Sequence, residues 1–233
     1  MKFNNIITII SAASLLWSCV TDSGNENVDD FDIKELLANT ADRIILPQFE
    51  DLKESTAALE SAYSDFESST TGENLRALQN KFNESYIAWQ ACSFVNYGNT
   101  TLLTLSSTLN TYPTDVDKIN STFETTEEFD LKSAEYAKII GFPGLDYLLF
   151  EGNENEIIER VSSKAIEYCS KNVDLIKTES ESAYAYWKNN TDNFYTEFKT
   201  SSSKTNGSPF SFFINGYVKN VEVLKNGQLG FPA

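Results

Sequence analysis

From Ile33 to Phe66 the apolar residues fall at 33, 36, 37, 41, 44, 45, 49, 52, 59, 63 and 66, in steps that keep them on one face of a helix. A strand turns its side chains over at every residue and could not keep such a series on one dry face. The pattern recurs. Leu75, Leu78, Phe82, Tyr86 and Trp89 mark a second helix from about Glu73 to Val95, and Ile157, Val161, Ala165, Tyr168, Ile176, Ala183 and Trp187 mark another over residues 154–188. A helix is also expected from about Glu127 to Ile140. The last one is capped by Ser208, opened by Pro209, striped by Phe210, Phe213, Tyr217, Val221 and Leu224, and ended by Gly227. No segment shows a convincing strand pattern. Long helices joined by short turns, such as Ser68 to Gly72, and by the polar loop over 200–207 predict an all-α, antiparallel helical bundle.

Two places depart from regularity. Pro47 lies inside the first helix and removes one hydrogen bond, so a kink or short break is expected there. Residues 99–125 have no clean period; Tyr112-Pro113-Thr114-Asp115 reads as a turn whose Thr114 or Asp115 caps a short helix through Phe123.

The first 18 residues carry one charge, Lys2, followed by an apolar run from Ile6 to Trp17 that is too short to span a bilayer. They read as an export signal. Ser18-Cys19 resembles a bacterial lipobox in which Cys19 becomes the lipidated first residue of the mature chain, with an ordinary cleaved signal or a buried free thiol as the alternative. The membrane is then a partner through acyl chains at Cys19. The expected location is the bacterial cell envelope, at the periplasmic or surface face of the outer membrane. Residues 19–32 are acidic and poor in apolar groups, as a flexible tether should be, which leaves 33–233 as the helical domain. Cys92 and Cys169 remain, either as a pair that an exported compartment permits or as core thiols.

Eighteen Lys and Arg stand against 34 Asp and Glu, a formal net charge of -16. No basic face is available for phosphates, so nucleic acid is excluded as a partner. A cationic ligand is compatible with this charge, and so is simple solubility.

The stretch with most chemistry is Gly141-Phe142-Pro143-Gly144-Leu145-Asp146-Tyr147-Leu148-Leu149-Phe150, followed by Glu151. Gly141, Pro143 and Gly144 break a helical pattern, and a new helix starts at Pro143, where a missing N–H has no consequence. The helical neighbours of Asp146 are Phe142, Pro143, Leu149 and Phe150, all apolar. Its carboxylate is therefore expected to be partly withdrawn from water, and an unpaired buried charge costs several kcal/mol. Three kinds of partner stay open: first-turn N–H groups, a cation from the lysines or from Arg43, Arg76 and Arg160, or a bound ligand.

That segment resembles the signature of imelysin-like proteins, in a branch reading Gly-Leu-Pro-Ala-Leu-Glu-Tyr-Leu-Leu-Phe. Ile44-Ile45-Leu46-Pro47, Trp89 followed by Gly98, Asn110-Thr111-Tyr112-Pro113-Thr114-Asp115, and the ending from Leu224 through Gly230-Phe231-Pro232 resemble further landmarks of the same family, in the same order. The resemblance covers the chain from about residue 33 onward. It implies an all-helical exported protein, often lipid-anchored, associated with bacterial iron uptake and nominally classed as a metallopeptidase. Its partners would be iron or another hard metal ion, or a protein of iron uptake. Relatives usually continue beyond the segment similar to Leu229-Gly230-Phe231-Pro232. The resemblance thus implies a C-terminally shortened member: a split gene, a reduced variant or half of a two-bundle body.

The family motif Gly-x-His-x-x-Glu places Pro143 at the His position and Asp146 at the Glu position. This chain contains no histidine, which excludes a zinc protease of the His-Glu-x-x-His kind. Iron-type members carry an acid four residues beyond the Trp matching Trp89; here that residue is Ser93. The oxygen donors left for a hard cation such as ferric iron or calcium are Asp146, Glu151 and the tyrosines. Solvation for Glu151 and packing for the tyrosines are the competing roles. The reading is a non-catalytic accessory or binding protein of iron or metal acquisition, with a metallopeptidase or a purely structural lipoprotein as alternatives.

Overall fold

Pro47 has no N–H to give to a carbonyl four residues back, and the chain answers by widening the turn ahead of it. Helix α1 (Ile33–Thr40) passes through one π-helical turn (Ala41–Ile45) into α2 (Leu46–Ser68). The Leu46 N–H reaches back to the Ala41 carbonyl, so the expected break becomes a local change of hydrogen-bond step. The computed structural model describes residues 31–124 and 128–229. The signal segment, Cys19 and most of the tether lie outside them.

Helix α3 (Gly72–Cys92) follows a tight turn in which the Thr71 hydroxyl accepts the Asn74 N–H at 3.2 Å, a side-chain cap for a first-turn donor. It returns antiparallel to α2 and buries Leu75, Leu78, Phe82, Ser85, Trp89 and Cys92. The other flank of α2 is covered by α8 (Ile166–Lys188), also antiparallel. Their register is set by the Tyr63 hydroxyl donating to the Ile166 carbonyl at 2.7 Å, by Lys177 pairing with Glu60 at 2.6 Å, and by Phe49 stacking on Trp187 with ring centroids 6.4 Å apart. The half-buried ion pair, still open to solvent, contributes little. Burial of Phe49, Leu52, Leu59, Phe66 and Trp187, each at most 1% exposed, is worth about 1.5–3 kcal/mol per large side chain and holds the rods together.

Helix α4 (Thr100–Leu109) packs on α8. The sequence reading left this stretch irregular because TTLLTLSSTL has weak intrinsic helix preference. Asn99 starts it by accepting the Leu102 N–H at 3.3 Å, and burial of Leu102, Leu105 and Leu109 sustains it. Helix α5 (Val116–Glu124) is capped by Asp115, whose carboxylate accepts the Lys118 N–H at 3.0 Å. That choice between Thr114 and Asp115 is thereby decided.

The helix expected over 127–140 does not form. Its described part is turn, with one 3-10 turn at Ala134–Tyr136. Asp130 is the cause: its carboxylate accepts the Lys132 N–H and its carbonyl the Ser133 N–H, both at 2.9 Å, a local alternative to helical bonding. Phe129 and Leu131, two apart, are both buried, as in an extended segment.

Helix α6 (Phe142–Phe150) comes next, then α7 (Glu154–Glu159), which starts with an Asn153–Glu156 capping box. A π turn at Arg160–Lys164 and the non-helical Ala165 separate α7 from α8, so the expected 154–188 helix carries a break. Short α9 (Phe194–Thr200) packs on α1. Helix α10 (Pro209–Val223) has the expected Ser208 cap on the Ser211 N–H. Beyond it the helical path continues as a π turn through Leu229, past Gly227. Of the stripe on α10, Phe210 and Phe213 pack on the core, while Tyr217, Val221 and Leu224 are exposed; periodicity identifies an apolar face without supplying its cover.

Among the described residues the only extended pairing is an isolated antiparallel bridge between Asn110 and Gly141. None of their helices is long and apolar enough to cross a membrane. Cys92 and Cys169 are both buried free thiols.

Candidate functional site

The start of α6 is held from beneath by one side chain. Gly141 has φ +80° and ψ -162°, a conformation essentially reserved for glycine, and a Cβ there would overlap the Leu109 carbonyl. Its N–H donates to Oδ1 of Asn172 at 2.8 Å, and Nδ2 of Asn172 donates to its carbonyl at 3.1 Å. The Tyr168 hydroxyl, one turn earlier on α8, accepts from the same Nδ2 at 3.4 Å and donates to the Ile139 carbonyl. Gly144 fits because a Cβ would collide with that carbonyl and that hydroxyl. Gly141 and Gly144 are therefore explained by close packing. Asn172 was missed by the sequence reading, although a polar residue between Tyr168 and Ile176 on a buried stripe was its signal.

Asp146 corrects the central expectation. Its side chain is exposed, and it has no hydrogen-bond or ion-pair partner among the described residues. It lies beyond the first turn of α6, so the free N–H groups at the helix start do not meet it. The apolar neighbours in sequence, Phe142 and Leu149, face the core, while Asp146 projects from the opposite side of the same helix. Enough protein surrounds the carboxyl to raise its pKa through desolvation. The nearby phenol of Tyr86 is raised mainly by burial and further by the Asp146 charge, although its hydroxyl bonds Asn110 at 3.3 Å.

Arg160, a candidate partner for that acid, serves the far end of α6. One of its nitrogens donates to the carbonyls of Leu148 and Glu151, each at 2.7 Å, and of Tyr147 at 3.4 Å. The Tyr147 carbonyl also keeps the Glu151 N–H at 3.3 Å, whereas those of Leu148 and Glu151 lie where a helix end leaves acceptors free, and a cation there complements the helix dipole. Glu151 thus contributes its backbone carbonyl to a cap, and its side chain is exposed.

Among the described residues no group of three or more His, Cys, Asp or Glu is placed to hold a metal ion. Asp146 offers a single carboxylate where a hard cation usually takes six or more oxygens. Ser93, standing where an acid was looked for, donates to the Gln90 carbonyl at 3.0 Å and accepts from Nδ2 of Asn220 at 2.8 Å. It ties α3 to α10 at the edge of a hollow of about 410 Å3.

The imelysin family model, a peptidase M75 class, matches residues 45–233. Two solved structures resemble the fold. An imelysin-like protein from Psychrobacter arcticum 273-4 superposes with a TM-score of 0.62 at 17% identity, over 83% of this chain and 61% of its own. A protein from Parabacteroides distasonis ATCC 8503, described as an iron-regulated protein A precursor, gives 0.56 at 16% identity, over 87% of this chain and 53% of its own. The chain thus spans less than two thirds of the length of either. No curated protein matches it. A family model running from the π turn before Pro47 through the α6 motif to the last residue is decisive where pairwise identity is low: the chain belongs to the imelysin family.

Proposed function

We propose that this protein is an exported accessory or binding protein of iron or metal acquisition, held to the cell envelope by acyl chains on Cys19 and without peptidase activity. The observation that carries the reading is family membership in a chain of 233 residues without a histidine. The motif position that would bring an imidazole to a metal is Pro143. A metallopeptidase needs a metal-held water and a general base, and this chain supplies no imidazole for the first. The iron association rests on the family and on the description of the Parabacteroides protein. Asp146 is the residue best placed to meet a cation, being accessible and without a partner among the described residues.

Elemental analysis of the purified full chain, with Asp146→Ala beside it, tests the metal reading. Bound iron, zinc or calcium in the first and less in the second supports it, and no metal in either removes it. Casein incubated with and without chelator tests the peptidase alternative, and chelator-sensitive cleavage would overturn the non-catalytic assignment. Palmitate labelling abolished by Cys19→Ser is expected for the anchor.

A second reading, an interaction lipoprotein whose helix break is architectural, is favoured by the Asn172 clamp, which explains Gly141 without any ligand. It predicts unchanged growth under iron limitation for Asp146→Asn.

A further inference from the structure

The hollow between α3, α4 and α10 has a composition unlike the rest of the surface. Its wall is formed in part by Gln90, Asn96, Asn110 and Asn220, which carry carboxamides, by Lys219 and by Trp89. Among the described residues no acid lines it. Gly216 allows α10 to close one side, since a Cβ there would lie 2.7 Å from the Phe94 carbonyl.

Two of these groups lack partners. Trp89 is 2% exposed, and its Nε1–H is buried without an acceptor. Most buried donors are satisfied, and an orphan is the kind of group a ligand or an ordered water completes. Lys219 has no ion pair among the described residues. Other polar groups are already engaged: Asn110 Oδ1 accepts from Tyr86, and Asn220 Nδ2 donates to Ser93.

We propose that this hollow binds a small carboxylate, whose oxygens would take the Lys219 ammonium and, after a small movement that uncovers its edge, the Trp89 indole N–H. A carboxylate accepts several hydrogen bonds and, being charged, makes stronger ones than a neutral hydroxyl. A bare metal cation is disfavoured by Lys219 and finds no carboxylate in the wall. A neutral sugar could use the carboxamides but would gain nothing from the ammonium. The volume, about 410 Å3, lies within the usual range for small-molecule sites. This inference goes beyond the metal reading and does not depend on Asp146.

The experiment is a titration of the full 15N-labelled chain in detergent with citrate, succinate, glucose and calcium chloride, following the indole N–H signals. Citrate or succinate is expected to move the Trp89 signal saturably, with Kd below about 1 mM. Lys219→Met, an exposed change that leaves the packing intact, should weaken that binding about tenfold. Trp187, buried against Phe49 and Phe198 and not part of the wall, should not respond. The proposal is overturned if neither carboxylate moves the Trp89 signal, if Lys219→Met binds them as well as the parent, or if glucose or calcium produces the same shift. Asp146→Ala should leave the titration unchanged, which separates this site from any metal bound at the helix break.

Discussion

Asn172→Ala should cut the link that positions the α6 motif. Asn172 is 0% exposed and bonds both backbone groups of Gly141, at 2.8 and 3.1 Å. Truncation leaves the buried Gly141 N–H without an acceptor, a loss of about 1–3 kcal/mol. The carbonyl keeps the Leu145 N–H at 3.3 Å, so only an ordinary hydrogen bond of about 0.5–1.5 kcal/mol is lost there. The total is about 3 kcal/mol, equivalent for a chain of this size to a fall in Tm of roughly 6–12 °C. Urea and thermal unfolding followed by circular dichroism measure it. Asn172→Asp sharpens the test. It keeps the acceptor for the Gly141 N–H but turns a second anionic oxygen toward the Gly141 carbonyl. Burial beside that carbonyl raises the folded-state pKa of the new acid, so its destabilisation is full above that pKa and is relieved as the pH falls through it and a donor returns. A loss under about 1 kcal/mol for Asn172→Ala, or no pH dependence for Asn172→Asp, would refute the clamp.

Gly141→Ala should destabilise by about 1–3 kcal/mol from its φ of +80° alone, before the overlap with Leu109 is counted; far-ultraviolet thermal melts report it. Cys92 and Cys169 should resist a thiol reagent in the native protein and react only on unfolding, because burial raises both thiols, Cys169 up to about 12. For Asp146 the folded-state pKa is raised by desolvation, so its ionised form weakens the fold above that pKa and the effect disappears as the pH falls through it. Asp146→Asn should therefore be neutral or stabilising within about 0.5 kcal/mol at pH 7, with the difference vanishing once the pH falls below the ordinary carboxylate range; a clear loss of stability would mean that the carboxylate has a partner.

The long helices were legible because α2, α3 and α8 each bury one stripe, and a one-sided burial writes itself into the spacing of apolar residues. The stretch around Asp130 was not, since Phe129, Leu131, Tyr136 and Ile139 satisfy a loose helical count while a single carboxylate diverts the backbone. Helix α4 was hidden for the opposite reason: its Thr- and Ser-rich sequence resists helix, and only contact with α8 decides it. The glycines of the motif announced a special backbone, and the structure supplies the reason in Asn172 and Tyr168. The hollow at Trp89 had no sequence signal, because its walls come from segments more than 100 residues apart that only the packing of α10 brings together.

Asp146 shows where a motif stops informing on structure. Local sequence placed it among apolar residues, but Phe142 and Leu149 point inward and the acid outward, so its withdrawal from water is partial and its charge is unmatched among the described residues. A carboxylate that braced the helix would be met by a donor and would stabilise the fold; this one is met by none among the described residues. Gly141 and Gly144 are accounted for by packing, whereas Asp146 is not, and that difference divides the motif into a structural part and a chemical part. Stability measurements therefore probe the glycines and Asn172, and for Asp146 they report only the cost of its unmatched charge. For Asp146 the informative quantity is what binds, and metal content compared between the parent and Asp146→Ala measures that directly.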